Sequence, residues 1–267
     1  MTRLITLTAL FLIFCVSPAF SQINKSKEFP NVFNSPAADS TPAWSQSVLQ
    51  MEVVVKKGDA DAEVQYANGT VVSKDGLLVS VLDEPGSNQA ELGGIESASI
   101  LMLDGTGVAA ELMAYEPTYG VAIFRVNGLN LRPFTLSKAP LVANRRINWH
   151  TVYNRGPKTF LYSRPLRVHK AKHQVGETED LCEVVCTGVS GLSADRTGSA
   201  LVALDGTLVG IMGWHEHWNI TPKNEPPQKK LAYAVPAHVI MRLLEDEMAR
   251  DNHARPVGIS NVDRSEE

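Results

Sequence analysis

Asp195-Arg-Thr-Gly-Ser-Ala-Leu-Val-Ala-Leu-Asp-Gly206, continued by Thr207-Leu-Val-Gly-Ile-Met212, is the stretch on which the fold is read. Two short apolar runs flank Asp205-Gly206, a dipeptide that favours the positive φ angles of a hairpin turn. A loop of small residues, Thr197-Gly198-Ser199, leads into the first run. The same grammar recurs upstream: Thr70-Val-Val72 and Leu77-Leu-Val-Ser-Val81 flank Asp75-Gly76, Ile100-Leu-Met-Leu103 precedes Asp104-Gly105, and Val121-Ala-Ile-Phe-Arg-Val126 precedes Asn127-Gly128. A second series of such runs extends from Ile147 to Val235. Many short strands at this spacing mean a sandwich or a barrel, so the class is all-β. Only one segment reads as helix. It begins at Pro236 and places Val239, Ile240, Leu243, Leu244 and Met248 on one face.

The chain has 267 residues, 44% hydrophobic and 20% charged, which suffices for a substantial buried core. A net charge of -4 supplies no concentrated positive field, which excludes nucleic acid and anionic lipid as partners attracted by global charge. At the N-terminus Arg3, the apolar run Leu4 to Val16 and then Pro18-Ala-Phe-Ser-Gln22 follow the order of a secretory signal. The run is shorter than the roughly 20 residues that span hydrocarbon, and no second one follows, so no stable membrane span is expected. The expectation is a signal peptide over 1–21 cleaved after Ser21, export to the periplasm or exterior, a flexible linker over 22–43, and a mobile polar tail over 248–267. Cys15 leaves with the signal. Cys182 and Cys186, four apart on an extended strand, lie about 13 Å from each other. That separation exceeds the reach of a disulfide, so the expectation is two buried thiols.

In four blocks the chain resembles the protease domain of the HtrA type of trypsin-like serine peptidases. Gly69-Thr-Val-Val-Ser-Lys-Asp-Gly-Leu-Leu-Val-Ser80 is similar to that family's hairpin before the catalytic histidine. Asp104-Gly105 with Ala114-Tyr-Glu-Pro-Thr-Tyr-Gly-Val-Ala-Ile-Phe-Arg-Val126 is similar to the strands around its aspartate. Asp195 to Gly206 is similar to the nucleophile loop, and Leu231-Ala-Tyr-Ala-Val-Pro236 with its helix to the end of the domain. The resemblance implies a chymotrypsin-like double six-stranded β-barrel, with a first barrel over 44–135 and a second barrel and closing helix over 136–247. The PDZ module that often follows in the family is not expected.

Carried over by position, the histidine falls on Asp83, the aspartate on Gly120 and the serine on Thr197. No histidine precedes His150 and no aspartate lies between Asp104 and Asp180, so no shift of register restores the triad. Amide hydrolysis needs a base that takes a hydroxyl proton and returns it to the leaving amine near neutrality. An aspartate titrating near ~3.9 is a feeble base, a glycine orients nothing, and a threonine without a base is unactivated. Asp195 and Arg196 occupy the positions equivalent to the oxyanion site, where Asp195 adds negative charge beside a developing anion.

The expectation is therefore a pseudoprotease without cofactor that binds a peptide or partner protein. Met212, Gly213 and Trp214 align with the strand that pairs with substrate main chain in the resembled fold. The alternatives are an active endopeptidase using Asp83 with Thr197, or using Ser193 or Ser199 with His215, and a structural subunit of an envelope assembly. A metal on His215, His217 and His150 lacks a ligand set fixed by spacing, so none is expected. The tryptophans of Trp214-His-Glu-His-Trp218 serve a partner or pack on the barrel. The basic run Arg164 to His173, followed by Glu177, Glu179 and Asp180, reads as a solvated strand edge. Asn68-Gly-Thr70 and Asn219-Ile-Thr221 match the glycosylation pattern, which matters only in a eukaryotic secretory route.

Overall fold

In the computed structural model the described residues are 33–34, 41–56, 62–82, 94–104, 106–155, 158–175, 178–186, 196–213 and 230–254. β1 (Phe33–Asn34) lies on a later strand. A single 3-10 turn over Ala43–Gln46 then leads into the first barrel. That barrel consists of β2 (Val48–Val55), β3 (Glu63–Val71), β4 (Leu77–Val81), β5 (Ile95–Leu101), β6 (Gly107–Glu116) and β7 (Val121–Arg125). It closes in the order β2-β3-β4-β7-β6-β5, every pairing antiparallel. The second barrel contains β8 (Arg146–Arg155), β9 (Lys158–Val175), β10 (Thr178–Cys186), β11 (Ala200–Val202), β12 (Leu208–Met212) and β13 (Lys230–Pro236). Its order is β9-β10-β13-β12-β11-β8, and the β8–β9 hairpin closes the ring.

Alternation along the strands builds the cores. Met51, Val53 and Val55 point inward from β2 to meet Ala98 and Ile100 of β5, because successive side chains of a strand face opposite ways. β4 and β7 are buried along both faces, which is why they read as continuous apolar runs. Leu78, Ala122 and Phe124 enter the first barrel's interior. Val79, Val81, Val121 and Ile123 turn outward and pack with Leu181, Ile211 and Val235 of the second barrel. The closing helix α1 (Ala237–Ala254) adds Val239, Ile240 and Leu244 to that shared layer. Burying these three side chains contributes roughly 5–9 kcal/mol before entropy is subtracted.

The chain between the barrels is bonded to both. Phe134 donates its amide to Val71 O at 3.0 Å, and Ser137 donates to Leu208 O at 2.8 Å. Two differences from the sequence reading concern boundaries. Phe33 and Asn34 pair with Leu161 and Phe160 of β9 inside the segment expected as linker, and α1 runs beyond 247 to Ala254, with Arg250 and Glu247 3.7 Å apart one turn along it. The rest of the expected linker through 40, the signal segment and the tail beyond 254 lie outside the described residues.

Cys182 is a free thiol, fully buried, with its Sγ 3.4 Å from Ala234 O. Burial pushes it up to about 12. The Cys186 side chain lies outside the described residues. Among the described residues no helix is long and apolar enough to cross a membrane.

Candidate functional site

The loop Arg196–Ser199, entering β11, sits where the two barrels meet. On the first-barrel side, Asn68 of β3 donates its amide to Thr197 O at 2.7 Å and Thr70 Oγ1 donates to Gly198 O at 2.7 Å. On the second-barrel side, Gly198 N donates to Met212 O at 2.7 Å. Gly198 has φ 76, and a Cβ there would run into Asn68 O and Ser80. Only glycine allows this left-handed turn to lie so close to a neighbouring backbone.

Asn68 is fully buried and holds the seam with its side chain. Its Nδ2 donates to Val152 O at 2.9 Å, while its Oδ1 accepts from Val152 N at 2.8 Å and Thr151 Oγ1 at 3.1 Å. The amide nitrogen that a glycan would need is thus inside the protein, which removes Asn68 as an acceptor site in the folded chain. The other sequon, at Asn219, lies outside the described residues.

Thr197 is 4% exposed. Ser199 is fully buried, and its Oγ donates to Arg196 O at 2.6 Å and accepts from Trp149 Nε1 at 2.5 Å. Both functions of that hydroxyl are therefore taken up in bracing the loop. Gly120, which the sequence resemblance matches to the family's aspartate, is buried with φ 65 and closes the turn that follows β6. Its amide donates to Pro117 O, and its carbonyl accepts from Leu82 N at 3.0 Å. Asp83, Asp195 and Ser193 lie outside the described residues.

His150 projects from β8 and stacks on Trp44 of the 3-10 turn, ring centroids 4.7 Å apart. Its Nδ1 is buried with no hydrogen-bond partner, and burial lowers its pKa to about 4. It therefore faces the turn before β2 and makes no bond to Ser199. His215 and His217 lie outside the described residues, and among the described ones no group of three or more His, Cys, Asp or Glu could hold a metal ion.

Of the expected peptide-pairing residues, Met212 has both backbone groups in use, its amide on Ser199 O and its carbonyl on Gly198 N. The Gly213 amide donates to Tyr233 O at 2.8 Å, so an added strand would begin at the Gly213 carbonyl. Trp214 lies outside the described residues.

Arg196 is half-buried and lays its guanidinium over Tyr153, 4.7 Å from the ring centroid, and 6.0 Å from that of Trp149. Tyr153 stacks in turn on Phe160, and Tyr162 meets Trp149 edge-on. Sequence reasoning missed this platform, as it missed the seam role of Asn68. The alternation Trp149, Thr151, Tyr153 opposite Tyr162 and Phe160 was the available signal. The identity of the residue resting on it depends on a loop that returns much later in the chain.

Neither the family models nor the curated proteins contain a match to this chain. Among solved structures it is similar to Rv3671c from M. tuberculosis H37Rv, crystallised as a serine-to-alanine mutant in its inactive form. The TM-score is 0.54 at 17% identity, covering 82% of this chain and 98% of that one. With the two closed six-stranded barrels and the terminal helix, this establishes a chymotrypsin-like double barrel, the fold expected from the sequence.

Proposed function

We propose that the chain is an exported pseudoprotease, a trypsin-like scaffold that binds an extended peptide or a partner's extended segment without hydrolysing it. The observation that carries this reading is Gly120. At the position that the sequence resemblance matches to the acid orienting a catalytic base, a glycine with φ 65 and no side chain is built into a turn. The loop hydroxyls support it too: Ser199 is bonded on both sides, and Thr197 is buried against the first barrel. The sequestered ring of His150 offers them no base.

A fluorophosphonate probe and a peptide array test the two halves of the reading. The purified mature chain should remain unlabelled at Thr197 and Ser199, leave unstructured protein substrates uncut, and retain a subset of arrayed peptides. Covalent labelling of either hydroxyl, or cleavage that Thr197→Ala abolishes, would overturn the reading. Retention of no peptide would refute its binding half.

A further inference from the structure

We infer that Arg196 and Arg164 form a receptor for a carboxylate carried by the bound peptide. Arg196 presents five N–H donors and no acceptor, so each donor needs an acceptor, water or a π face. Its Nε is buried without a partner. Its contacts are the faces of Tyr153 and Trp149, which attract a cation but accept no planar hydrogen bond. Arg164 lies directly across the β8–β9 hairpin from Trp149, is half-buried, and donates from Nη1 to Tyr162 Oη at 3.2 Å. Two guanidiniums thus border one aromatic cluster, and among the described residues neither is paired with a carboxylate.

A half-desolvated cation on an aromatic bed, with one buried donor unused, is organised for a planar acceptor that forks onto the guanidinium. A carboxylate matches that geometry and leaves one charge to desolvate; a phosphate dianion brings more hydration to shed into the same aromatic surroundings. Arg196 immediately precedes Thr197, whose carbonyl is bonded across the barrel seam, so a peptide following the seam passes beside it. This inference rests on the peptide-binding reading and adds the chemistry that selects the peptide.

The test uses the mature chain and three N-acetylated valine–serine hexapeptides. The first carries one glutamate with an amidated C-terminus, the second replaces glutamate by glutamine, and the third is that glutamine peptide with a free C-terminal carboxylate. Affinities are read by calorimetry, and the Arg196 Nε–Hε signal by NMR. At least one carboxylate peptide should bind about tenfold more tightly than the neutral peptide and move that signal; which one does so identifies a side-chain or a terminal carboxylate. Arg196→Gln should erase the preference, Arg196→Lys should keep part of it, and Arg164→Gln should weaken it severalfold. Unchanged thermal midpoints would show that the variants fold. Acetate alone should move the Arg196 signal, and inorganic phosphate should move it less.

Equal affinity for all three peptides overturns the inference while leaving peptide binding intact. A preference that survives Arg196→Gln overturns the assignment to this residue, and a larger response to phosphate than to acetate overturns the carboxylate. No peptide bound, with the acetate response present, refutes the peptide reading but supports the anion receptor. Silence in both measurements overturns both.

Discussion

At the scale of single residues, His150 and Asn68 show how burial converts a polar group into a constraint. The folded chain holds His150 neutral down to about 4, whereas in the unfolded chain the ring takes up a proton below ~6.5. The folded pKa is depressed, so this contribution to stability is complete above the unfolded value and is lost as pH falls toward 4. The loss reaches on the order of 3 kcal/mol at the bottom of that window. Urea unfolding at pH 7 and at pH 4.5 should give a lower midpoint at the acid value, and His150→Phe should flatten the difference. Asn68→Ala strands the amide and carbonyl of Val152 and the hydroxyl of Thr151. It should cost roughly 3 kcal/mol or more, read as a shift in urea midpoint at constant slope. Neither role was legible in the sequence. Asn68 sits in a strand as part of a sequon, and what makes it structural is a strand more than eighty positions away.

At the scale of elements, the hairpins were legible because Asp-Gly pairs punctuate alternating runs, and the burial of β4 and β7 on both faces was visible as unbroken apolarity. The small-residue loop around Thr197 could be read from the runs that flank it. The packing of the Arg196–Ser199 loop could not, since Trp149 and Asn68 reach it from other parts of the chain. Gly198→Ala should test how tightly the loop is wedged. The positive φ and the carbonyl of Asn68 both oppose a methyl group, so the expected cost is about 3 kcal/mol or more, measured by differential scanning calorimetry. The end of α1 also escaped the sequence, because residues 249–254 carry no large apolar side chain and so give no periodic signal whether helical or not.

At the scale of the whole molecule, the outward-turned residues of β4 and β7, those of β10, β12 and β13, and α1 share one apolar layer. The barrels should therefore lose structure together. Ile240→Ala, fully buried in that layer, should cost about 2–5 kcal/mol. It should speed hydrogen exchange in β2 of the first barrel and in β13 of the second by the same factor. Faster exchange confined to β13 would mean that the barrels open independently. Alternation marked the strands and the family resemblance implied two barrels, but the layer they share was not legible: the period of two says which residues leave a face, not what they meet there.

The sulfur of Cys182 turns the interior of the second barrel into a clock. A thiol held near 12 offers an alkylating reagent almost no thiolate, and the barrel wall admits no reagent to it. Its labelling rate, followed in a Cys186→Ser chain because the two cysteines share one tryptic fragment, therefore reports the opening of the native molecule, with no denaturant needed to start it.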